Sequence, residues 1–443
     1  MKQSNYFLDG CRLTVDEVVQ AVRGELGTVG LTGEAIAKCE ASRAQVTRWL
    51  VDDAPAVYGV NTGLGNLKDS VLSLEEHLAW NKTIPYPHAV GLGEYLNPAI
   101  TRASMLIRAN VLSRGYSGVR SELIHRMLSI FNQGIAAAIR ELGSTGLSDL
   151  GPLAHNAMVV SGLEEAEVFY KGQRMLAQDC FAAIGLEASF PLECKEALAQ
   201  MNGSTMTQAI AVYACHNMQQ LINIEKKIDS IWAELGLLPF AAKAKVDQAV
   251  DKAFRIIANT VNFENNITCD NPLLFEAEDG YEAVMGCNCS NTQIGYVMDL
   301  LAILLADKAN VMIELFNRLE REKNLNISGI REHALARVGY IQSLCLPASA
   351  DSLPTKANQE DHVEFSYGAA RKAMKALQAY QFLLSSLLGA VDRLDAAAGN
   401  YSKVQEQFPG IDAERAVGSK QIVNINNYLS HTFDLVPLLN NAD

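Results

Sequence analysis

Three long stretches of the chain carry apolar side chains at the spacing of an α-helix. Within residues 104–132, 293–322 and 367–396, apolar residues recur at intervals of three, four and seven, as they do on one face of a helix. Each stretch is about thirty residues long, whereas the mean helix of a globular protein has only ~11–12. Helices of this length bury their apolar faces by packing along one another, so the pattern predicts a long-helix bundle. The 12 prolines in 443 residues are few enough to leave such helices unbroken.

Strand-like alternation is scarce and lies towards the N-terminus. The two short candidates are Arg12–Val15 and Val168–Tyr170, in a part of the chain with more glycine. No Pro/Gly/Ser-rich linker and no internal repeat divides the sequence. We therefore predict a mixed N-terminal part over residues 1–195, a central long-helix bundle over 196–400 and a C-terminal helical segment over 401–443.

Charge and composition exclude several classes of protein. The formal net charge of -13 argues against non-specific binding to nucleic acid, which needs a basic surface. The most apolar stretch, residues 300–306, is flanked by Asp299 and Asp307 and is far shorter than the ~20 residues of a membrane span. The N-terminus has no apolar signal core. Nine cysteines without a regular spacing fit reduced thiols, so we expect a cytoplasmic protein without membrane or nucleic-acid partners.

Polar and glycine-rich islands lie between the helical stretches, and such loops are where sites are usually built. The islands are residues 58–68, 88–93, 142–155, 201–204, 269–274, 286–291 and 347–362.

Two islands suggest chemistry by composition alone. In Tyr58-Gly59-Val60-Asn61-Thr62-Gly63-Leu64-Gly65, three glycines permit unusual backbone angles beside one phenol. Tyr58 could move a proton, or it could be a hydrogen-bonded anchor, as tyrosines often are. The island at 347–362 is dense in ionisable groups, and Lys356 precedes Glu360 by one helical turn. Lys356 could pair with the carboxylate or deliver a proton, or it could form a simple surface ion pair.

Taken together and in order, the islands resemble the motifs of the aromatic amino acid ammonia-lyase and aminomutase family. Tyr58–Gly65 is similar to its Tyr-Gly-Val-Asn-Thr-Gly-Phe-Gly motif, and the 347–362 island matches the histidine branch almost residue for residue. The other matching segments are His88–Gly93, Arg108–Asn110, Gly115–Val119, Asp149–His155, Asn202–Ser204 and Asp270–Leu273. The resemblance runs from about Leu8 to about Leu394.

The resemblance implies a mainly α fold, a long-helix bundle of the ammonia-lyase (fumarase/aspartase-like) type with a smaller mixed N-terminal part. It also implies a homotetramer with active sites shared between subunits, acting on a small amino-acid-like substrate. In the family, an Ala-Ser-Gly triplet cyclises to the electrophile methylidene-imidazolone (MIO). Carried over by position, the resemblance implies roles for residues of this chain: Tyr58 as the acid/base phenol, His88 facing the substrate side chain, Asn61 and Asn202 binding substrate, and Glu360 facing its ring or amino end.

The cofactor-forming signature departs from the family pattern. The family reads Gly-Ser-Val-Gly-Ala-Ser-Gly-Asp-Leu, and this chain reads Gly143-Ser144-Thr145-Gly146-Leu147-Ser148-Asp149-Leu150, one residue shorter. Aligned from the left, Leu147 takes the alanine place and Ser148 the serine place, and Asp149 stands where the glycine is lost. Aligned from the right, where Asp149–His155 matches the family, Ser148 stands where the glycine should be. In either alignment one residue is missing. Glycine suits the strained cyclising turn because it has no Cβ. We therefore expect no MIO from Leu147-Ser148-Asp149 and no other cofactor, with Ser148 kept as a candidate catalytic residue.

Two further segments depart from the pattern. The best match to the family's Pro-Tyr-Ser-Leu-Arg is Pro239-Phe240-Ala241-Ala242-Lys243, which would replace the tyrosine base by phenylalanine and the arginine clamp by the point charge of Lys243. The family's Gly-Asn-Phe-His stretch is replaced by Gly286-Cys287-Asn288-Cys289. These thiols could ligate a soft metal, but two packed thiols are the preferred interpretation, so no metal is expected. Cys289 falls at the family's pocket-facing phenylalanine position, where it could instead be a reactive thiol.

Three functions remain open at this stage. The preferred hypothesis is a carbon–nitrogen lyase that works without MIO on a histidine-like or aromatic amino acid or a betaine derivative. In that case the leaving group must already be good, as a quaternary amine is. The alternatives are a non-catalytic or repurposed family member, such as a ligand-binding protein or a subunit of a mixed complex, and a true MIO-dependent ammonia-lyase with an unusual triplet.

Overall fold

A computed structural model describes residues 4–51, 54–63, 70–237, 240–278, 280–355, 360–397, 403–411 and 418–440. Helices dominate this part of the chain. They are α1 (Val15–Arg23), α2 (Gly33–Arg48), α3 (Leu74–Thr83), α4 (Pro85–His88), α5 (Pro98–Leu112), α6 (Ser121–Asn132), α7 (Leu150–Ser161), α8 (Ala177–Ile184), α9 (Glu196–Met201), α10 (Thr205–Glu234), α11 (Ala241–Glu264), α12 (Thr292–Lys323), α13 (Ser328–Ser343), α14 (Ser366–Ala397), α15 (Lys403–Gln407) and α16 (Ser419–Thr432).

Long helices form the centre of the molecule, as the apolar periodicity predicts. The stretches 293–322 and 367–396 lie within α12 and α14, each of 32 residues. α14 packs against α10, α12, α13 and α16. Residues 205–218 at the start of α10 are all buried, so this helix is covered on every side there. The predicted mainly α bundle is confirmed.

The third stretch, 104–132, is not one helix, and that prediction was wrong. α5 ends at Leu112 and α6 begins at Ser121. Between them Gly115 and Gly118 have φ of 81° and 65°, in the left-handed region that favours glycine. A Cβ on Gly115 would lie 2.8 Å from the backbone of Lys38. The apolar spacing continues across the break because both helices face the same core.

The strands form small separate sheets. They are β1 (Tyr6–Leu8), β2 (Val29–Leu31), β3 (Leu92–Tyr95), β4 (Ala136–Ala137), β5 (Arg140–Leu142), β6 (Glu167–Tyr170), β7 (Gln173–Leu176), β8 (Leu273–Ala277) and β9 (Gly280–Val284). β1 pairs with β2 in parallel. The remaining pairs, β3–β5, β4–β6–β7 and β8–β9, are antiparallel. The predicted strand at Val168–Tyr170 is confirmed as part of β6.

The strand predicted at Arg12–Val15 was wrong, because these residues lead into α1. The Thr14 hydroxyl accepts a hydrogen bond from the Glu17 backbone, and the Glu17 carboxylate accepts one from the Thr14 backbone. This capping box satisfies backbone groups at the helix start. The apolar residues of the segment, Leu13 and Val15, are buried against the core without a strand partner.

None of the helices that the structure describes combines the length and the apolar character needed to cross a membrane.

Candidate active site

A cavity of about 650 Å³ lies where several predicted site residues meet. Its walls combine aromatic, apolar, amide, thiol and carboxylate side chains. The lining residues are Tyr58, Trp80, Ile84, His88, Leu147, Ser148, Leu150, Leu198, Met201, Asn202, Asn271, Met285, Gly286, Cys287, Cys289, Glu360 and Asp361. Six of the residues singled out in the sequence therefore share one cavity: Tyr58, His88, Ser148, Asn202, Cys289 and Glu360.

The starts of three helices, α10, α12 and α14, come together behind the cavity-lining residue Cys289. The Ser204 hydroxyl, at the start of α10, lies 2.7 Å from the Gly146 carbonyl and 2.6 Å from the Cys289 carbonyl. The Asn291 backbone N–H, at the start of α12, donates to the Glu364 carboxylate over 3.1 Å, just before α14 begins. Helix N-termini carry partial positive charge, so the start of α12 is a favourable partner for the Glu364 carboxylate.

Ser148 connects the altered cofactor-forming signature, residues 143–150, to the segment before α10 by hydrogen bonds. Its φ is 42°, an uncommon backbone angle for a residue with a side chain. Its hydroxyl accepts from the Gly203 N–H over 2.9 Å and donates to the Met201 carbonyl over 3.1 Å. Ser148 thus lies in the cavity wall with its hydroxyl already bonded to backbone.

Hydrogen bonds hold both the backbone and the side chain of Asp149. Its side chain is buried, and its backbone N–H donates to the Gly203 carbonyl over 2.7 Å. Its carboxylate accepts from the Ser144 hydroxyl over 2.6 Å, from the Thr207 N–H over 2.7 Å and from the Thr207 hydroxyl over 3.0 Å. Burial nevertheless raises the pKa of Asp149 to about 7, because removal of water disfavours the charged carboxylate.

Asn202 presents an unsatisfied oxygen to the site. The buried Arg108 guanidinium holds its backbone carbonyl and those of Ala199 and Cys269. Its side-chain Oδ1 is buried and has no hydrogen-bond partner among the described residues. A buried acceptor left unpaired costs about 1–3 kcal/mol, so a donor on a bound molecule would be stabilised there.

His88 is held in one tautomer. Its Nδ1 lies 2.9 Å from the Ile84 carbonyl oxygen, which can only accept, so a neutral ring carries its proton on Nδ1. Its Nε2 then keeps a lone pair and can accept a proton or a hydrogen bond. The Glu360 carboxylate, also in the cavity wall, accepts from the Thr355 hydroxyl over 2.6 Å, and Asp361 beside it adds a second carboxylate.

The structure places two predicted substrate-binding residues elsewhere, which corrects the sequence interpretation. The Asn61 amide donates to the carbonyls of Trp49 and Pro55 over 2.9 Å each and accepts from the Val57 N–H over 2.6 Å. Asn61 does not line the cavity of the described chain; it fixes the loop that carries Tyr58.

Lys243 lies in α11 within the helical bundle. Its ammonium pairs with Asp229 and Asp247 over 2.7 Å each and with Glu225 over 3.2 Å. Only 5% of the Lys243 side chain is exposed. Its charge is therefore balanced by these three carboxylates, and the ammonium is not available to bind a substrate. The family motif is too weakly matched here to predict this environment. Lys356 lies outside the described residues, as does Pro239 of the same weak match.

The thiols of the Cys287–Cys289 segment differ in exposure. Cys287 is exposed and Cys289 is buried, and both line the cavity. Burial raises the pKa of both thiols. Cys289 therefore contributes a neutral, weakly polar wall rather than a thiolate nucleophile, since the thiolate is the reactive form.

Several cavity residues were missed in the sequence. Trp80 and Ile84 precede His88 by eight and four residues, the spacing that places residues on one helical face. This spacing could have predicted that Trp80 and Ile84 lie on the same side as His88. Asp361 was inside a recognised island but went unassigned beside Glu360. Met285 and Asn271 reach the cavity only through the β8–β9 hairpin, which no local pattern predicts.

Asp149 gives the folded protein a pH-dependent stability that can be measured. Its pKa is about 7 in the folded state and about 3.9 in an unfolded chain, so the folded state binds the proton more tightly. The stabilisation is fully present below about pH 4 and is lost as pH rises through about 7. The free energy of unfolding of the wild type minus that of Asp149→Asn should therefore fall between these pH values. Denaturant titrations of both proteins at pH 4.5, 6 and 8 check this, and curves that stay parallel would contradict it.

Comparison with known proteins agrees with this arrangement. The family model described as aromatic amino acid lyase matches residues 13–235 and 242–408. The histidine ammonia-lyase of Alkaliphilus oremlandii is 30% identical, over 88% of this chain and 88% of its own.

Solved structures share the fold over nearly the whole chain. The histidine ammonia-lyase of Trypanosoma cruzi superposes with a TM-score of 0.84 at 24% identity, covering 99% of this chain and 96% of its own. Ergothionase of Treponema denticola, an ergothioneine-degrading enzyme, superposes with a TM-score of 0.86 at 18% identity, covering 98% and 99%. With a family match over most of its length and a cavity built from the family's motifs, this chain belongs to the aromatic amino acid lyase family.

Proposed function

We propose that this protein is a carbon–nitrogen lyase that works without MIO on a histidine-like or aromatic amino acid, or on a betaine derivative of one. The observation that carries the proposal is the shortened signature, in which Asp149 directly follows Ser148 and is buried and hydrogen-bonded through both its backbone and its carboxylate.

Cyclisation would require the Asp149 nitrogen to bond to the Leu147 carbonyl carbon. That N–H instead donates to the Gly203 carbonyl over 2.7 Å, and the Asp149 carbonyl accepts from Leu153 over 2.9 Å at the start of α7. Moving the nitrogen would break these bonds and uncouple the carboxylate from Ser144 and Thr207. The residues present therefore do not fit the prosthetic group.

The remaining cavity residues suit an elimination whose leaving group is already good. A base takes the β-proton, the electron pair forms the carbon–carbon double bond, and the carbon–nitrogen bond breaks with its pair on the departing neutral amine. Tyr58 or Glu360 is the candidate base. His88, with its Nε2 lone pair, would contact the substrate ring, and Asn202 Oδ1 would accept from a donor on the substrate.

Charge in the cavity supports a substrate with a cationic amine. Glu360 and Asp361 place two carboxylates in the wall, and none of the lining residues in the described part of the chain is lysine or arginine. A quaternary ammonium is cationic and leaves as a neutral tertiary amine, so it needs no electrophile. The ergothioneine-degrading enzyme of Treponema denticola shares this fold at 18% identity.

We further propose that the active enzyme is a cytoplasmic homotetramer with shared sites. A carboxylate on the substrate would need a cation that the described residues around the cavity do not supply. A neighbouring subunit is the simplest source. Native mass spectrometry and mixing of two inactive variants would detect the tetramer and complementation between subunits.

One experiment separates this proposal from its alternatives. We expect the intact mass to equal that of the unmodified chain, and we expect an acrylate absorbance to grow with at least one member of a panel of histidine, phenylalanine, tyrosine and their trimethyl betaines. A mass lower by two waters would instead indicate MIO. Flat traces across the panel, together with tight binding of a panel member, would favour a non-catalytic relative.

A further inference from the structure

A second cavity, of about 280 Å³, shares no lining residue with the first. It lies between the end of α1, the start of α5, the β6–β7 turn, α10 and the segment 434–440. The charged, aromatic and apolar side chains in its wall include Arg23, Arg102, Phe169, Lys171, Tyr213 and Val436.

Arg102 brings a positive charge to this cavity without a carboxylate partner among the described residues. Its guanidinium donates to the Val22 carbonyl over 2.6 Å and to the Phe131 carbonyl over 3.2 Å. Two of its five N–H donors are used in this way. Its Nε has no partner in the described structure. The guanidinium also lies 4.9 Å from the centre of the Phe131 ring. A partly buried cation that is compensated by carbonyls and a ring but by no carboxylate would be stabilised by an anion.

The other charged residues of the cavity do not neutralise the positive charge of Arg102. Arg23 is ion-paired with Asp434 and lies 3.6 Å from Glu25, so that group is balanced. Lys171 stands at the β6–β7 turn with its ammonium 5.0 Å from the Tyr170 ring centre. It has no carboxylate partner among the described ion pairs. Arg102 and Lys171 therefore give the cavity a net positive charge.

Tyr213 adds a second, independent indication of a ligand. The side chain lines the cavity and is only 1% exposed, yet its hydroxyl makes no hydrogen bond to any described residue. Tyrosine hydroxyls of mostly buried side chains usually find a hydrogen-bond partner, and in this cavity a ligand could be that partner. Beside two cations, the natural partner for an O–H donor is an anion.

We propose that this cavity binds a small organic oxyanion. Arg102, Lys171 and Tyr213 hold its charged head, and its apolar body packs against Phe169 and Val436. A charge-assisted hydrogen bond from Tyr213 gives its hydroxyl a partner, and the anion supplies the counter-charge that Arg102 lacks. The site is independent of the proposed elimination, because the two cavities share no residue.

Calorimetric titration of the full-length protein with benzoate and, separately, with inorganic phosphate tests the proposal. The two arms distinguish a carboxylate with an apolar body from a bare phosphate. We expect saturable binding of benzoate that Tyr213→Phe weakens about tenfold, since it removes one hydrogen bond to a charged group, and that Lys171→Gln also weakens. Tyr213→Phe removes no hydrogen bond within the protein, so its melting temperature should not fall.

Tyr58→Phe, which alters only the first cavity, is the matched control and should leave this binding unchanged. Saturable binding of phosphate with the same dependence on Tyr213 would equally support an oxyanion site. The proposal is overturned if neither anion binds, if Tyr213→Phe binds as tightly as the wild type, or if Tyr58→Phe abolishes the binding.

Discussion

Replacing Tyr58 by phenylalanine is expected to lower kcat about 10²–10⁴-fold on the substrate that the panel identifies, the usual contribution of a positioned acid or base. The phenol lines the cavity together with His88, Asn202 and Glu360. The loop that carries Tyr58 keeps the hydrogen bonds of the Asn61 amide when the phenol hydroxyl is removed. KM should change much less than kcat, because the ring stays in the cavity wall, where it would contact the substrate.

Tyr86→Phe is the matched control for this prediction. Tyr86 lies in α4, close in sequence to the cavity residues, but it is 38% exposed and does not line the cavity. Its substitution should leave kcat unchanged. If Tyr58→Phe also retained full kcat while Glu360→Gln lost it, the base would be Glu360 and the role proposed for Tyr58 would be wrong.

The second large effect is expected on stability, at a buried ion pair behind the cavity. Lys195 Nζ lies 2.6 Å from Asp270 Oδ2, and neither side chain has any solvent exposure. Lys195→Met should lower the free energy of unfolding by about 3–5 kcal/mol, because it leaves Asp270 buried without its partner charge. Asp270 directly precedes the cavity residue Asn271, and Lys195 directly precedes α9, which ends beside Asn202.

An exposed ion pair supplies the control. Lys38 and Glu34 lie one turn apart on α2, 2.8 Å from one another, with side chains 50% and 77% exposed. Lys38→Met should cost at most about 1 kcal/mol. Urea denaturation of both variants measures the difference, and the double variant Lys195→Met/Asp270→Asn should recover part of the loss. Equal costs for the two lysine variants would contradict the assignment.

The apolar periodicity of the sequence predicted the long helices correctly where a whole periodic run lies within one helix. The runs at 293–322 and 367–396 became α12 and α14, because a continuous apolar face over thirty residues has few other ways to be buried. The run at 104–132 was wrongly predicted to be one helix. Two successive helices on either side of Gly115 and Gly118 face the same core, so their apolar residues show one apparent periodicity.

The sequence was less informative about the direction in which a polar side chain points. Asn61 lies in a recognised motif, yet its amide is used to hold the backbone of the Tyr58 loop. Lys243 was assigned from a weak match, and it is held instead by acidic residues on α10 and α11. Motif position identifies a neighbourhood, whereas the partner of each polar group depends on elements distant in the chain.

The sequence by itself determined the helical bundle, the family resemblance and the loss of one residue from the cofactor-forming signature at residues 143–150. These are properties of local spacing and residue identity. Only the tertiary structure decided that the Asp149 N–H is bound to Gly203, that its carboxylate is buried against Ser144 and Thr207, and that Tyr58, His88, Asn202 and Glu360 share one cavity. The physical reason is that burial and hydrogen bonding join segments up to three hundred residues apart, and their balance appears only when the helix ends that carry them are packed together.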